Sequence, residues 1–453
     1  MRRWLWGPAG LAVAVRLAVW LAGGLWALGG SELTLDTVEY HALAVSLAEG
    51  NGFVYDAPYA PPYEVEALRT PGYPAFVAAV YAVLGARPGW VLLLQILLDG
   101  AACLLIAHTF RQPLGERGAG LAALAFALHP AASLFSVILL SESLFVFLLV
   151  AAFALLWGPW TGRTSLRAAA AGALLGGAVL VKPLAMWAVP VVALASTHRK
   201  HTRPLRQPVL LLGLAVLVVA PWIARNDAVW ARPMLSTSGA YNALVLYAAP
   251  VHADATGTDT RDAIRQLTYQ ADIRARDAGV RTREIRDVDR APFWREVAVE
   301  TLAAHPLSAV KLEATGVVRQ FVSIGRVSRQ HVFSQREAQP RDPGLAGALR
   351  WWWGGPGSDK ILDLWALLYA LAVYPLLAVG TVRAMRERRG GALLAAGALA
   401  LFFLLATGIP GYSRFMIPAV PFWAAFVGLA ASRRGAPPAR ADARVTTARP
   451  AVR

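Results

Sequence analysis

Nine long apolar runs dominate this chain and restrict what it can fold into. A helix that crosses a bilayer needs about 20 mostly apolar residues, and it satisfies every backbone polar group within the segment. Charged residues make up only 16% of the chain and hydrophobic residues 57%, whereas a soluble surface is roughly 25–35% charged. The sequence therefore predicts an all-α polytopic membrane protein. The runs are residues 9–29, 88–110, 118–135, 142–158, 168–197, 208–224, 361–382, 391–407 and 414–431.

The run at 168–197 is too long for one helix and contains Lys182-Pro183 at its middle. Proline removes a helical hydrogen bond, and lysine avoids hydrocarbon. We therefore expect two short helices that meet at one membrane face, which brings the count to about ten transmembrane helices. At the N-terminus, Arg2-Arg3 precede an apolar stretch that is longer than the roughly 7–15 residues of a signal peptide, so a retained first helix is favoured.

Basic residues are concentrated in one set of segments between the apolar runs. With a cytoplasmic N-terminus, the cytoplasmic segments hold 20 arginine and lysine residues, against three in the short segments opposite. Because basic residues favour the cytoplasmic side, both termini are predicted to be cytoplasmic and 30–71 and 225–360 to lie outside. The cytoplasmic segments are 1–8, 111–117, 159–167, 198–207, 383–390 and 432–453.

This topology divides the chain into four parts. Residues 1–224 form an N-terminal transmembrane module that includes the first outer loop, 30–71. Residues 225–360 form a larger outer loop region, and 361–431 form C-terminal transmembrane helices. The basic tail at 432–453 is rich in Pro, Ala and Arg and lacks an apolar period, so it is predicted to be disordered.

The outer region and the charge composition refine this prediction. An amphipathic helical stretch at 291–304 is interrupted by His305-Pro306, and three tryptophans at 351–353 are placed as an interfacial anchor.

The net charge of +16 follows from the loop arginines, so no nucleic acid partner is expected. Arginine outnumbers lysine 40 to 4, a usage associated with GC-rich bacterial genomes, so the expected location is a bacterial cytoplasmic membrane.

The first outer loop is acidic, with seven of the 28 acidic residues of the chain against one base, Arg69. Asp36 and Glu39 open a helical pattern, and their spacing of three places them on one face of its first turn. Such a pair at a membrane surface can take a proton from a hydroxyl or hold a divalent cation. Helix capping by Thr34 or Asp36 within a solvated loop is the simpler interpretation. The seven residues are Glu32, Asp36, Glu39, Glu49, Asp56, Glu64 and Glu66.

Four cationic residues recur at the membrane edge on this same face: Arg69, Lys182, Arg225 and Arg414. Arginine and lysine bind phosphate, arginine through its bidentate fork, and a lipid phosphate lies at this depth. Snorkelling of single side chains to the headgroups is the alternative interpretation. Glu142 lies at the outer mouth of a span, in the same layer as the acidic loop.

Signatures of soluble nucleotide-dependent enzymes are missing from the sequence. It contains no Gly-rich phosphate loop after a strand, no Walker lysine, no Gly-x-Ser-x-Gly elbow and no His-Glu-x-x-His helix. Cys103 is the single cysteine, which excludes an internal disulfide and a cysteine metal cluster. A nucleotide-sugar or ATP site therefore has no evident place.

Five groups of motifs follow one another between about residues 9 and 431. They are Asp36-Thr-Val-Glu39-Tyr40 with Ala-Glu-Gly-Asn-Gly-Phe53, Arg69-Thr-Pro-Gly-Tyr-Pro74, His129-Pro130 with Ser141-Glu142-Ser143, Pro221-Trp-Ile-Ala-Arg-Asn226 with Ser238-Gly-Ala-Tyr-Asn242, and Tyr412-Ser-Arg414 with Pro418. In this order they resemble the polytopic glycosyltransferases of the C-type fold that use a lipid-phosphate sugar. That group includes the dolichyl-phosphate-mannose protein mannosyltransferases of family 39 and the bacterial aminoarabinose transferases that act on lipid A.

The resemblance implies a sugar donor linked to a polyprenyl phosphate and used on the outer face. Asp36, as the aspartate of the first outer loop, would be the catalytic base. It would deprotonate an acceptor hydroxyl for in-line displacement at the anomeric carbon, with inversion. The departing lipid phosphate would be steadied by cations: Arg69, Lys182, Arg225 or Arg414.

The resemblance leaves the metal and the acceptor open. Some relatives bind a divalent cation at this site and others do not, so Glu39 and Glu142 are candidates for contacts to the acceptor or to Mg²⁺ or Mn²⁺. Several better-known relatives are longer, so the acceptor can be a glycan, a lipid or a protein. Membrane lipids are the remaining expected partners.

Two other classes of protein compete with an enzyme. A transporter or a flippase for lipid-linked sugars, without chemistry, would show repeats, broken helices in both halves and midplane charges, and this sequence shows one broken segment. A structural assembly subunit is the third interpretation. Within the enzyme interpretation, a ligase or polymerase that uses a diphosphate-linked glycan is also open.

Overall fold

The structure is a computed structural model that describes residues 2–23, 25, 36–54, 67–162, 164–197, 205–280, 286–322, 357–387 and 391–432. Within these residues the chain is helical and has no β-strand, which confirms the predicted all-α class. Some predictions lie outside the described residues: the cap at Thr34, the acidic residues Glu32, Asp56, Glu64 and Glu66, the tryptophan anchor at 351–353 and the tail after residue 432.

The N-terminal half carries long apolar helices, and two short helices lie between the first and the second long one. Those elements are α1 (Arg2–Ala22), α2 (Asp36–Ala48), α3 (Gly72–Leu84), α4 (Pro88–Ala127), α5 (Pro130–Phe135), α6 (Glu142–Trp157), α7 (Thr164–Val181), α8 (Ala185–Ser196) and α9 (Arg206–Trp230).

Mainly amphipathic helices follow, and then apolar helices again. The middle group is α10 (Ser238–Asn242), a π-helical turn (Ala243–Ala248), α11 (Ala249–Thr256), α12 (Thr260–Asp277), α13 (Asp287–Ala304) and α14 (Pro306–Val322). The last group is α15 (Gly357–Glu387), α16 (Ala392–Leu405), α17 (Ser413–Met416), a 3₁₀ turn (Ile417–Ala419) and α18 (Val420–Ala431).

Five described segments are long and apolar enough to cross a membrane, and five further apolar helices are shorter. The chain therefore has the helices of a multi-pass membrane protein, while the count of about ten spans stays a prediction. The five long segments are Pro88–Ala127, Thr164–Val181, Arg206–Trp230, Lys360–Glu387 and Ser413–Ala431.

One break agrees with the sequence prediction and one boundary differs from it. The element α4 consists of two helices that meet at a kink at Gly115, inside the predicted segment 111–117; φ there is 71°, and a residue with a Cβ would be strained. The predicted span 118–135 ends at Ala127, because His129 caps a new short helix that starts at Pro130. Helix α3 was not predicted, since its 13 residues fall short of the roughly 20 that identify a span.

The predicted break at Lys182-Pro183 is confirmed, because α7 ends at Val181 and α8 begins at Ala185. Helix α7 packs closely against two neighbours. Gly172 and Gly176, in the middle of α7, face the backbone of α9, and an added Cβ at Gly172 would lie 2.3 Å from the carbonyl oxygen of Leu211. At the C-terminal end of α7, a Cβ on Gly72 would lie 2.7 Å from the backbone of Leu180. Small residues thus let three helices approach closely, and the contact at Gly72 lies beside the break at Lys182.

The middle helices have a hydrophobic core of their own. It is built from α10 to α13 and the π-helical turn, with Leu267 and Trp294 among its buried residues. The predicted interruption of the amphipathic stretch is confirmed, since α13 ends before His305 and α14 begins at Pro306. Helix α14 then reaches the apolar bundle, where Gln320 donates to the carbonyl oxygen of Thr407 at 2.8 Å.

Candidate active site

Six charged side chains meet at one end of the helical bundle. They come from five regions of the chain: the first turn of α2, the segments before α3 and after α7, and the starts of α6 and α17. Each contact joins an acid to a base, so the signs alternate and the formal charges balance. In order along the network, the residues are Glu39, Arg69, Asp36, Arg414, Glu142 and Lys182.

Asp36 occupies the middle of this network. Its Oδ1 accepts from Nη2 of Arg69 at 2.9 Å, and its Oδ2 accepts from Nη1 of Arg414 at 2.9 Å. Arg69 also donates through Nε to Oε2 of Glu39 at 2.6 Å. A single guanidinium can bridge Asp36 and Glu39 because residues three apart share a helix face. The short acidic motif of α2 is therefore built around an arginine 33 positions away.

Glu142 forms the second acidic centre. Its Oε1 accepts from Nζ of Lys182 at 2.6 Å and from Nε of Arg414 at 2.5 Å. Its Oε2 is buried and has no hydrogen-bond partner among the described residues. Lys182 reaches this carboxylate from the break between α7 and α8, where Pro183 prevents the helix from continuing. Arg414 thus connects the two acidic centres.

The three carboxylates differ in their exposure. The Asp36 side chain is 35% exposed, the Glu39 side chain 27% and the Glu142 side chain 1%. A group that exchanges a proton with a substrate must reach it directly or through one water. Asp36 is therefore the most accessible acid of the network, and Glu142 is the internal counter-ion of Lys182 and Arg414.

The network also sets the protonation state of Asp36. Burial by itself raises the pKa of this carboxyl, but the guanidinium groups of Arg69 and Arg414 outweigh it and hold the pKa well below its usual range. Opposite charges at this distance favour the ionised form. Asp36 is consequently a carboxylate at neutral pH, and it is a weak proton acceptor while both arginines are bound to it.

Aromatic residues pack against the charged network. The guanidinium of Arg69 lies 5.1 Å from the ring centroid of Tyr40, within cation–π range. Tyr40 packs edge-on against Tyr73, whose hydroxyl donates to Oε1 of Gln95 at 2.6 Å. Gln95 in turn donates to the carbonyl oxygen of Ser136. Sequence reasoning did not assign Tyr40 a role, although its position four residues after Asp36 signals the same helix face.

Arg225 lies outside the network. Its Nη1 donates to Oδ1 of the neighbouring Asn226 at 2.7 Å, and its guanidinium lies 4.7 Å from the Trp222 ring centroid and 5.8 Å from that of Phe53. The structure therefore brings together three of the four predicted cations and leaves the fourth on an aromatic platform. Asp99, deeper in α4, is bound to Arg16 of α1 at 2.7 Å, a fully buried pair.

The described carboxylates do not fit a divalent cation. Mg²⁺ and Mn²⁺ require several oxygen ligands directed at one point, whereas Arg69 separates Asp36 from Glu39 and Arg414 separates Asp36 from Glu142. Among the described residues, no group of three or more His, Cys, Asp or Glu side chains could hold a metal ion. No chemical step is therefore derived through a metal.

Comparison with known proteins supports the resemblance seen in the motifs. Residues 68–224 match the family described as dolichyl-phosphate-mannose-protein mannosyltransferase. A search of the curated proteins gave no match to the chain.

Solved structures with a similar fold come from an archaeon and a bacterium. The oligosaccharyltransferase of Archaeoglobus fulgidus, tethered to an acceptor peptide with an NVT sequon, is 16% identical with a TM-score of 0.52 over 95% of this chain and 49% of that one. Its apo form is 14% identical with a TM-score of 0.53, over 95% and 50%. ArnT from Cupriavidus metallidurans, bound to undecaprenyl phosphate, is 15% identical with a TM-score of 0.43, over 93% and 77%.

The family match and the two archaeal structures confirm the predicted resemblance and fold class. The chain has the C-type glycosyltransferase fold, and with its apolar helices it is a multi-pass membrane protein. It spans about half the length of the archaeal enzyme that it matches.

Proposed function

We propose that this protein is a membrane glycosyltransferase that moves a sugar from a polyprenyl-phosphate donor to an acceptor hydroxyl, with inversion, at the outer face of a bacterial cytoplasmic membrane. The alternating network carries the proposal, because it places the partly exposed carboxylate of Asp36 beside Arg69 and Arg414, while Glu142 holds Lys182 and Arg414 together. The match of residues 68–224 to a dolichyl-phosphate-mannose-dependent family supports the lipid-linked donor.

In the proposed reaction, Asp36 accepts the proton of the acceptor hydroxyl while that oxygen attacks the anomeric carbon of the sugar. The bond between this carbon and the phosphate oxygen breaks, and the lipid phosphate leaves with the electron pair. Arg69, Lys182 and Arg414 stabilise the negative charge that develops on the phosphate, which is the electrostatic contribution expected of fixed cations. No nucleotide or metal is required for the atoms and charges to balance.

We infer different roles for the other two carboxylates from their contacts. Glu39 holds the guanidinium of Arg69 through Nε, so it positions that arginine against Asp36. Glu142 is buried and accepts from both Lys182 and Arg414. We assign it the role of keeping these cations in place when the phosphate is absent, since a buried cation without a counter-ion is costly.

The position of the network suits a lipid-linked substrate. Lys182 directly follows α7, Glu142 begins α6 and Arg414 lies at the start of the segment Ser413–Ala431, all of them apolar helices. A phosphate at this depth keeps its polyprenyl chain in the bilayer, while the sugar stays in water beside α2. By the same topology, residues 225–360 extend from the side of the membrane where the acceptor arrives, and both termini are cytoplasmic.

Mass spectrometry of a deletion strain tests the function. The expected result is the loss of one sugar from a surface glycan, lipid or protein, together with accumulation of its polyprenyl-phosphate donor. Complementation with the wild-type gene restores the sugar, and the identity of the unglycosylated molecule names the acceptor. A strain with unchanged glycans and donors would refute the proposal, and a donor confined to the inner leaflet would favour a flippase instead.

A further inference from the structure

The resting arrangement of Asp36 conflicts with its proposed role as a base. Both of its carboxylate oxygens accept from guanidinium groups, one from Arg69 and the other from Arg414. A general base works best with a pKa near the working pH and an oxygen that the hydroxyl can reach. With both arginines in place, each oxygen of Asp36 already accepts from a guanidinium, and the carboxylate is a weak proton acceptor. Release of one arginine would clear one oxygen for the hydroxyl and make Asp36 a stronger base.

Each arginine contacts Asp36 through one Nη group, and the two differ in the other groups that hold them. Arg69 is fixed by Tyr40 beneath it and by Glu39, which contacts both its Nε and its Nη2. Arg414 binds Glu142 through Nε and Asp36 through Nη1 alone. Its Nη1 can therefore change partner while Nε stays on Glu142, which leaves the side chain anchored.

We propose that Arg414 masks Asp36 in the resting protein and is drawn from it by the phosphate of the bound donor. This inference rests on the proposed function. When the phosphate takes the Nη groups of Arg414, Oδ2 of Asp36 becomes free to accept the proton of the acceptor hydroxyl. The base is active only when the sugar donor is in place, and release of the lipid phosphate returns Arg414 to Asp36.

The charges of the reaction agree with this exchange. The donor is a phosphodiester with one negative charge, and the lipid phosphate that leaves carries two. Asp36 loses one negative charge when it takes the proton, so negative charge moves from Asp36 to the phosphate. Arg414 can move from Asp36 to the phosphate together with this negative charge. The total charge of the site does not change. The charged and titratable groups around Asp36 are Glu39, Tyr40, Arg69 and Arg414, with Tyr241 of α10 nearby and with Glu142 and Lys182 beyond Arg414.

Chemical labelling of Asp36 tests whether Arg414 covers this carboxylate, and it needs no activity assay. Dicyclohexylcarbodiimide reacts with protonated carboxyl groups, and peptide mass spectrometry measures modification of Asp36 at a fixed, mildly acidic pH. A neighbouring arginine lowers the pKa of an aspartate by about 1–3 units, so unmasking raises the protonated fraction at least about tenfold. We expect this increase in the wild type on addition of undecaprenyl phosphate, and in Arg414→Gln without any lipid.

Two further variants serve as a control and as a substitute for Arg414→Gln. Arg265→Gln removes an exposed arginine of α12 that pairs with Asp262, and it should leave the labelling of Asp36 unchanged. If Arg414→Gln does not fold, Arg414→Lys retains the charge but cannot span Asp36 and Glu142, so an intermediate increase is expected. Labelling of Asp36 that is equal in the wild type and the folded Arg414 variant would overturn the proposal.

Native mass spectrometry measures binding of the lipid. This measurement distinguishes a failure of the Arg414 proposal from a failure of the proposed function. If undecaprenyl phosphate binds the wild type but does not change the labelling of Asp36, the mask is wrong and the proposed function stands. If undecaprenyl phosphate does not bind at all, the proposed function fails and the mask fails with it.

Discussion

Replacement of Asp36 by asparagine separates catalysis from structure at this site. Asparagine keeps the size of the side chain and one acceptor oxygen, but it cannot take a proton. The arginines do not lose their counter-ions, because Arg69 retains Glu39 and Arg414 retains Glu142. Since Asp36 is 35% exposed, its ion pairs contribute about 1 kcal/mol or less to the free energy of unfolding. The variant should therefore fold and insert normally.

The loss of activity should be much larger than this structural effect. General-base catalysis typically contributes about 10²–10⁴-fold, so we expect the turnover number for transfer from a polyprenyl-phosphate sugar to fall by that factor. The affinity for undecaprenyl phosphate should not fall, because every cation of the network remains and one negative charge is gone. A decrease in turnover with unchanged or tighter binding of the lipid identifies a base.

The assay uses purified protein with a defined polyprenyl-phosphate sugar, and mass spectrometry measures the product. Glu49→Gln is the matched control, since Glu49 is an exposed acid just past the end of α2 and its replacement changes the charge equally. The control should keep wild-type turnover. If folded Asp36→Asn protein transferred sugar at the wild-type rate, the assignment of Asp36 as the base would be refuted.

Three further predictions follow from the same contacts. Glu142→Gln leaves Lys182 and Arg414 partly buried without a full counter-ion. It should lower the free energy of unfolding by about 3 kcal/mol, measured by thermal unfolding in detergent. An unchanged unfolding midpoint would contradict the structural role of Glu142. Gly172→Leu places a Cβ 2.3 Å from a backbone oxygen of α9 and should lower the yield of folded protein, whereas the open position Gly213 should accept Ala. Reporter fusions at residue 203 should read cytoplasmic and at 280 outside, and a cytoplasmic signal at 280 would overturn the topology.

Some features of the site are encoded locally and could be predicted from the sequence. The apolar runs identify helices, because length and polarity alone decide whether a segment satisfies its backbone in lipid. The break at Lys182-Pro183 follows from the chemistry of proline, and the shared face of Asp36 and Glu39 follows from helix periodicity. All seven candidate residues were named from the sequence, and the structure joins six of them in one network.

Other features depend on how distant helices pack, and periodicity does not report them. Arg414 reaches Asp36 across 378 positions of the chain, and it does so because α17 ends up beside α2 and α6. Nothing in the sequence distinguishes Arg225 from the three networked cations, since all four occupy similar edge positions. The short helix α3 also escaped prediction, because its 13 residues become a stable element only against α2 and the end of α7.

Composition and spacing act within each segment, so they were sufficient to identify a helical membrane protein and to single out its candidate acidic and basic residues. Which acid meets which base follows from the packing of distant helices. That pairing depends on close packing such as the contact of Gly72 with the end of α7, which brings the ends of separate helices together. Because a charge at a membrane edge is stabilised by whatever opposite charge lies nearest, the packing of the helices sets the partners of Asp36 and hence its chemistry.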